Sequence, residues 1–292
     1  MKFGQVQNPD FVDFTLPEDN QRTTEILFKC DKYLPLNIFV GCAKWNRGDL
    51  KNFYPRGTKD ELTYYSSQFN SIELNATFYG MPERQQVINW RDKTPDNFRF
   101  FPKISQNISH LRRLNNVDAL TREYCDAISN FEEKLGMVFL QMRDDFKYKN
   151  FDRLKDFVEK FPREIPLAVE LRNTEWFNNE EVSKEVYDLF GKNNITNVLV
   201  DTAGRRDLLH MCLTTPKAFI RYVGANHPKI DRERLDDWVE RLKAWIEQGI
   251  REVYFFVHQN IEVESPLLSA YLIEKLNKEL QLSLRLPEFA VK

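Results

Sequence analysis

Four side chains that can transfer protons lie within or directly after apolar runs of the sequence. Glu73 and Glu170 interrupt two such runs, Asp201 ends a third and His258 ends a fourth. An unpaired carboxylate is costly to bury, so we expect both glutamates to have partners in the folded chain. Carboxylates and an imidazole are the usual groups of general acid–base catalysis. We therefore take all four as candidate catalytic residues.

Two other interpretations of these residues remain open. Glu73 and Glu170 can instead form an internal ion-pair network with Arg172, Arg221 or Lys103, and such networks perturb pKa values as active sites do. Carboxylates and imidazole also suit divalent metal ions, but no spacing in the sequence supports a metal site and we predict none. The sequence leaves the cofactor, if there is one, undetermined.

A second group of residues suits the binding of an anion. Cations crowd the predicted strand ends and the loops after them: Lys44, Arg47, Arg56, Lys103, Arg112, Arg113, Arg143, Arg172, Arg205, Arg206 and Arg221. Arginine offers a planar donor fork that matches carboxylate or phosphate, and aromatic neighbours can stack a sugar or a base. Taken singly, each is also explained as a core aromatic or a solvated arginine. The candidate substrate-binding residues are Trp45, Asn75, Tyr79, Lys103, Gln141, Arg172, Trp176, Arg221 and Asn260.

Eight short runs rich in β-branched and aromatic residues would position these side chains. They alternate with longer amphipathic stretches, which is typical of βαβ units and a parallel sheet. The predicted strands are 38–41, 71–75, 98–101, 137–141, 167–170, 196–200, 219–222 and 253–257. Eight strands close an α/β barrel, whose functional face is the C-terminal end of the strands.

The predicted architecture is a single TIM-like (β/α)8 parallel barrel over residues 37–292, preceded by an N-terminal arm over 1–36. The connection after the sixth strand is too short for a full helix. An open doubly wound sheet is the alternative. It would usually bring a glycine-rich turn after the first strand, and Gly41-Cys42-Ala43-Lys44 is not one.

Composition excludes several classes of function. Lys and Arg total 42 against 44 Asp and Glu, so no overall field attracts nucleic acid or an anionic membrane. No apolar run approaches the ~20 residues of a membrane helix, and the N-terminus lacks a secretion signal. The four cysteines, Cys30, Cys42, Cys125 and Cys212, are scattered, so we predict four reduced thiols in a soluble cytoplasmic protein.

Several ordered blocks resemble one known family. They include Gly41-x-x-x-Trp45, Phe53-Tyr54-Pro55, Glu73-x-Asn75-x-Thr77-Phe78-Tyr79 and Val169-Glu170-Leu171-Arg172 with Trp176, followed by Asp201 and Arg221-Tyr222-Val223-Gly224. Over about residues 37–260 the sequence resembles the YecE-like family, a domain of unknown function numbered seventy-two. The resemblance implies a TIM-like barrel and supplies no reaction.

Two functions follow as hypotheses. The first is a hydrolase or lyase for a phosphate- or sugar-containing anion, with Glu170 or Glu73 as general base and with Arg172, Arg221 and Lys103 holding the anion. The second is a non-catalytic protein that binds single-stranded nucleic acid or a phosphorylated metabolite at the same place. A small anionic ligand is the expected partner in the first case, and the sequence leaves the oligomeric state undetermined.

Overall fold

A computed structural model describes residues 4–289, and its strands follow the eight predicted runs. Their bounds are β1 Asn37–Cys42, β2 Ser71–Leu74, β3 Arg99–Pro102, β4 Val138–Gln141, β5 Leu167–Glu170, β6 Thr196–Thr202, β7 Lys217–Val223 and β8 Glu252–His258. Every residue of β2, β4, β5 and β6 is buried. Burial on both faces is typical of parallel strands that helices cover, and it explains why these runs are apolar almost throughout.

The strands pair in parallel in two sheets. One sheet has six strands in the order β1-β8-β7-β6-β5-β4, and the other contains β2 and β3. The six-stranded parallel half-barrel confirms the predicted α/β class. The expected uninterrupted eight-stranded ladder is not what the structure shows.

The two interruptions in the ladder have different local causes. Between β3 and β4, only the bridges Phe100 to Leu135 and Lys103 to Phe139 form. Between β1 and β2, the side chain of Asn70 takes the place of ladder bonds: it accepts from the Val40 amide at 2.9 Å and donates to the Ile38 carbonyl at 2.8 Å.

The β1 and β2 backbones nevertheless approach closely. A Cβ atom added to Gly41 would lie 2.2 Å from the Ser71 carbonyl oxygen. A side chain at position 41 would therefore force the two strands apart, which explains the glycine here.

The core has two parts, separated by the alternation of side chains along each strand. A small aromatic-rich inner cluster receives residues from seven strands: Phe39, Phe101, Phe139, Ala168, Val198, Val200, Phe219, Tyr254 and Phe256. The rings of Phe101 and Phe256 lie 4.8 Å apart, so β3 of the smaller sheet packs directly against β8 of the larger one. The larger, outer cluster lies between the strands and the helices.

The helices of the described residues cover the outer faces of the strands. They are α1 Gln21–Phe28, α2 Glu61–Gln68, α3 Ala76–Tyr79, α4 Arg84–Asp92, α5 Asp118–Ile128, α6 Phe151–Lys160, α7 Glu180–Lys192, α8 Pro228–Gln248 and α9 Ser265–Leu280. Side-chain caps define several starts; Asp60, for example, accepts from the Thr63 amide at 2.9 Å at the start of α2. Across residues 4–289, no helix has the length and apolarity needed to cross a membrane.

The connection between β6 and β7 contains only the short 3-10 turn Arg206–Leu208, which confirms that this connection lacks a full helix. The segment that was expected to form an arm contains α1, which packs beside this connection. Arg22 of α1 pairs with Asp188 of α7, and α1 also contacts α8. Thr23 donates to the Met211 carbonyl at 2.8 Å and accepts from the Leu213 amide at 2.8 Å. The α1 helix is thus fixed to the connection itself.

Candidate functional site

Side-chain alternation brings five candidate residues to one place at the C-terminal ends of the strands. Inner-cluster residues Phe101, Phe139, Ala168, Phe219 and Phe256 each stand two positions before a polar residue. Those polar residues are Lys103, Gln141, Glu170, Arg221 and His258, and they continue on the inner face because the period of a strand is two. Glu73 of β2 joins them, since its neighbours Ile72 and Leu74 belong to the outer cluster.

Arg221 occupies the centre of this group, which we call the strand-end cluster: Glu73, Lys103, Gln141, Glu170, Arg172, Arg221 and His258. Arg221 binds Glu73 through two hydrogen bonds, Nε to Oε2 at 2.7 Å and Nη2 to Oε1 at 2.9 Å. Its Nη1 donates to Oε2 of Glu170 at 2.5 Å. Both carboxylates are fully buried, and one guanidinium compensates the charges that β2 and β5 contribute.

Glu170 has two further partners. Arg172 donates from Nε to Glu170 Oε1 at 2.5 Å, and Gln141 donates from Nε2 to both carboxylate oxygens at 3.0 Å. Gln141 and Glu170 are register partners in the β4–β5 ladder, which explains why they meet. The pKa of Glu170 is about 2, because the charges of Arg172 and Arg221 and the Gln141 hydrogen bond outweigh burial, which opposes ionisation.

Lys103 lies at the edge of this network. Its Nζ donates to Oε1 of Gln141 at 2.7 Å and sits 4.2 Å from the centre of the Phe78 ring. Burial, followed by the positive charge of Arg221, lowers the pKa of Lys103 to about 7. Within residues 4–289, Gln141 is the one hydrogen-bond partner of this amine, so two of its protons are available when it is charged.

His258 completes the cluster from β8. Its Nε2 lies 2.8 Å from Oε2 of Glu73 and 3.3 Å from Nη2 of Arg221, and its Nδ1 lies 4.0 Å from Oε1 of Glu262. A carboxylate on one ring nitrogen fixes the orientation of an imidazole. Burial opposes ionisation of Glu73, but the charges of Arg221 and His258 overcome it and hold the Glu73 pKa well below its usual range.

Asp201 does not join the strand-end cluster. It follows Val200, an inner residue, by one position and therefore faces the outer, helical layer. There it accepts from Arg234 Nη2 and Trp238 Nε1, each at 2.7 Å, and pairs with Arg206. Asp201 is fully buried in this separate network. The expectation that it would converge with Glu73, Glu170 and His258 was wrong, because the side chain of Asp201 points to the opposite face of β6 from the inner cluster.

The predicted binding aromatics take three different places. Trp176 is fully buried and donates to the Phe146 carbonyl at 2.6 Å, so it is a core residue. Trp45 is partly buried against the edge of Trp90 at 5.9 Å. Tyr79 is 71 % exposed and packs against Phe78, the residue whose ring contacts Lys103.

The two predicted binding asparagines also differ. Asn75 ends β2, at the start of α3, and donates to Oε1 of Glu73 at 2.9 Å, so it supports the cluster. Asn260 lies in the bend after β8 and is half-buried.

Most loop cations that gave the sequence its local positive excess are paired with loop carboxylates. Arg113 pairs with Asp145 at 2.7 Å, Arg205 with Asp144 at 3.1 Å and with Asp207 at 2.9 Å. Arg143, Lys44 and Arg47 likewise pair with Asp145, Asp49 and Glu61. The excess inferred from sequence counted the cations of these loops and left out their acids. In the strand-end cluster itself, Arg221 and Arg172 bind the buried carboxylates of Glu73 and Glu170, and Lys103 lies beside them without an ion pair among the described residues.

The described part of the chain contains no group of three or more acidic, histidine or cysteine side chains placed to hold a metal ion. In the strand-end cluster the reason is visible: the Arg221 guanidinium stands between Glu73 and Glu170, where a cation would have to sit.

Two residues near Lys103 received little weight from sequence. Phe78 packs on Lys103, and the His110 ring stands 4.7 Å from Phe78, edge to face. Burial and the charge of Lys103 lower the pKa of His110 to about 4. Phe78 belongs to the block Glu73-x-Asn75-x-Thr77-Phe78-Tyr79 that resembles the YecE-like family, and that was the signal in the sequence that could have singled it out.

Comparison with known proteins gives a consistent result. The chain matches the family described as "Protein of unknown function DUF72" over residues 39–290. It is 26% identical over 264 residues to "UPF0759 protein YecE" of Escherichia coli K12, covering 83% of this chain and 94% of that protein. It is 23% identical over 254 residues to "UPF0759 protein YunF" of Bacillus subtilis 168, covering 76% and 89%.

A solved structure shares the fold. The crystal structure of a DUF72 family protein from Enterococcus faecalis V583 superposes with a TM-score of 0.66 at 20% identity, covering 85% of this chain and 99% of that one. The family match confirms the resemblance found in the sequence blocks. The chain therefore belongs to the DUF72 family, whose members include YecE.

Proposed function

We propose that the strand-end cluster binds a small anionic substrate and is the active site of a hydrolase or lyase. The observation that carries the proposal is the amine of Lys103, which is 7 % exposed and forms no ion pair with a carboxylate among residues 4–289. Glu73 and Glu170 are both bound by Arg221 instead. An uncompensated buried charge is costly, so an anion beside Lys103 would be bound with a favourable change in electrostatic energy.

We place the anion beside Lys103, at the edge of the cluster. Arg221 is 4 % exposed and fully engaged by the two glutamates. Lys103, by contrast, retains donors, and the Arg172 side chain is 17% exposed. Tyr79 and Phe78 flank this edge. These positions favour a ligand the size of phosphate or a short phosphorylated or carboxylated metabolite.

His258 is the group we assign to proton transfer. The Glu73 carboxylate orients its imidazole, and its side chain is 13% exposed. Glu73 and Glu170 are fully buried, and their lowered pKa values make them poor proton acceptors near pH 7. We therefore assign them as positioning residues rather than general bases.

Single-stranded nucleic acid, the alternative from sequence, has less support. An extended strand needs a continuous row of available cations, whereas Arg113, Arg143 and Arg205 pair with acids of neighbouring loops. Binding of a phosphorylated metabolite without chemistry differs from our proposal only in turnover, and the experiments below separate the two.

We also infer that the two sheets form one interrupted TIM-like barrel over residues 37–292, with 1–36 as a docked arm. Seven strands contribute to the shared inner cluster, and Gly41 permits close contact at the β1–β2 junction. The polar strand ends then form the mouth of the barrel.

Binding can be tested by thermal unfolding in increasing phosphate or sulfate, with ionic strength held constant by a non-coordinating salt. We expect stabilisation of about 2.7 kcal/mol at 100 times the dissociation constant. Lys103→Met should abolish the shift. Lys44→Met is the matched control, because Lys44 also follows a strand but is paired with Asp49 at 3.2 Å. Equal shifts in all three proteins, or no shift beyond the salt control, would contradict the anion site.

Turnover can be tested with a panel of phosphate esters and anionic lyase substrates. His258→Gln should lower the rate about 100-fold or more while the phosphate-induced shift persists. Phosphate binding without turnover of any substrate in the panel would favour the non-catalytic binding protein.

A further inference from the structure

We propose that Lys103 is a nucleophile that forms an imine with the carbonyl carbon of a small anionic aldehyde or ketone. The inference rests on the proposed function, because the same cluster would hold the anionic group of the substrate. It narrows that function from hydrolase or lyase to a lyase that acts through an imine.

The backbone of Lys103 is fixed on both sides. Its amide donates to the Leu74 carbonyl at 3.1 Å, and its carbonyl accepts from Thr77 Oγ1 at 2.8 Å. A bridge to Phe139 fixes the same residue against β4. The amine is therefore presented from a rigid strand end, as a reacting group must be.

The amine itself is desolvated but not enclosed by acceptors. Lys103 is 7 % exposed, with Gln141 Oε1 at 2.7 Å and the Phe78 ring at 4.2 Å. No carboxylate forms an ion pair with Nζ among the described residues. Gln141 can orient the amine without protonating it, because its carboxamide oxygen only accepts from the amine, and its nitrogen donates to Glu170.

The charged groups around Lys103 favour the neutral amine. Burial and the positive charges of Arg221 on β7 and Arg172 after β5 favour its deprotonation, while Glu73 and Glu170 oppose it. The resulting pKa of about 7 leaves about half of the amine unprotonated at neutral pH. A lysine that is desolvated and adjacent to another cation is the usual arrangement for a nucleophilic amine.

His110 also lies near this edge, packed against Phe78. Its pKa of about 4 keeps it uncharged at neutral pH, so it adds no further positive charge next to the amine.

The covalent step is balanced without an oxidant or a reductant. The nitrogen lone pair attacks the carbonyl carbon, and one proton moves from that nitrogen to the carbonyl oxygen to give a carbinolamine. The hydroxyl then takes a second proton, for which we assign His258, and leaves as water, so that a protonated imine remains. This cation withdraws electrons from the bond between the two carbons next to it: a hydroxyl on the far carbon loses its proton, that carbon leaves as an aldehyde, and the near carbon keeps the electron pair as an enamine. The enamine carbon then takes up a proton, and water hydrolyses the imine, which restores Lys103 and releases the second carbonyl product.

The experiment is a reductive trap on the intact protein. Glyoxylate serves as the probe because it combines an aldehyde with a carboxylate, and cyanoborohydride delivers hydride to the imine carbon to give a stable secondary amine. Peptide mass spectrometry then compares the labelling rates of Lys103 and Lys44 in the same sample. At pH 7 we expect labelling of Lys103 to be about tenfold faster or more, and phosphate should slow it.

Two variants make the outcome decisive. Lys103→Arg keeps the positive charge but cannot form an imine, so it should retain the phosphate-induced thermal shift and lose the label at position 103. Lys103→Met should lose both. Labelling of Lys103 no faster than Lys44, or unchanged by phosphate, would overturn the imine proposal. A phosphate shift that persists in that case would leave the anion site standing, whereas loss of both signals would refute both proposals.

Discussion

Arg221 and Glu73 form a two-point ion pair across the ends of β7 and β2, with both charged groups removed from solvent. Because β2 belongs to the smaller sheet and β7 to the larger one, this pair joins the two sheets at the strand ends. Together with the contacts of His258 to Glu73 and of Lys103 to Gln141, it joins the two sheets at the strand ends, as the aromatic inner cluster does deeper in the molecule.

Removing that guanidinium should destabilise the fold severely. Arg221→Met leaves Glu73 and Glu170 buried without their shared partner, and loss of one partner of a buried pair costs about 3–5 kcal/mol. Denaturant unfolding of the variant measures the loss. Adding Glu73→Gln to Arg221→Met should recover part of the lost stability, since one unpaired buried charge is removed. A double variant that loses the sum of the two single effects would show that the pair is not coupled.

Replacing Lys103 should have the opposite effect on stability. Its folded pKa of about 7 lies below that of an unfolded lysine, so the folded state binds fewer protons between about pH 7 and pH 10.5. The loss of wild-type stability caused by the buried Lys103 charge is therefore largest below pH 7. It disappears as the pH rises through the pKa of the unfolded lysine. We therefore expect Lys103→Met to be more stable than wild type at pH 6.5 by about 1–3 kcal/mol, and this gain to shrink towards pH 10. Unfolding at both pH values, with Lys44→Met as control, measures it. A gain that is the same at both pH values would argue against the lowered pKa.

Asp201 should behave as a structural residue. Asp201→Asn weakens the contacts to Arg234, Arg206 and Trp238 and leaves buried Arg234 with less compensation, so we expect a loss of about 2–4 kcal/mol. The phosphate-induced thermal shift should be unchanged, because this network faces the helices. An Asp201→Asn protein of normal stability that no longer responds to phosphate would place Asp201 in the site after all.

The cysteines give an independent check on the packing. Cys42, Cys125 and Cys212 are buried, and burial raises their pKa values to about 12, while Cys30 is half-buried. Four thiols should react with a thiol reagent in denaturant, and the three buried ones should be unreactive in the native protein. Fewer than four in denaturant would indicate a disulfide, and rapid native reaction at two or more would indicate a looser core.

The strands were predictable because their signal is local. Each run is continuous and apolar, and polar residues end it. The convergence of Glu73, Glu170, Arg221 and His258 followed from the barrel hypothesis. Asp201 was misplaced because side chains alternate along a strand. A residue at the strand end faces inward only if it lies an even number of positions from an inward-facing residue, and Asp201 directly follows the inward-facing Val200. The alternation can be read from the sequence, but which residues of β6 face inward is known only from the structure.

The loops were less predictable for a different reason. Whether Arg205 remains solvated or pairs with Asp144 depends on where two loops from different strands approach each other. No periodicity encodes that distance. The same holds for Phe78 and Lys103, which are separated by one helix and one strand in the chain and meet through the fold.

The position of α1 has a consequence for the order in which the chain assembles. Arg22 of α1 binds α7, Thr23 binds the β6–β7 connection, and α1 also contacts α8. The α1 helix therefore occupies the outer position that a helix between β6 and β7 would otherwise fill. The first helix to be synthesised therefore docks on residues made nearly 190 positions later. Until those residues are synthesised, the apolar side of α1 cannot pack against them. Once they are present, α1 completes the layer of helices around the strands. The family match begins at residue 39, so a fragment cut at that boundary would lack one outer helix.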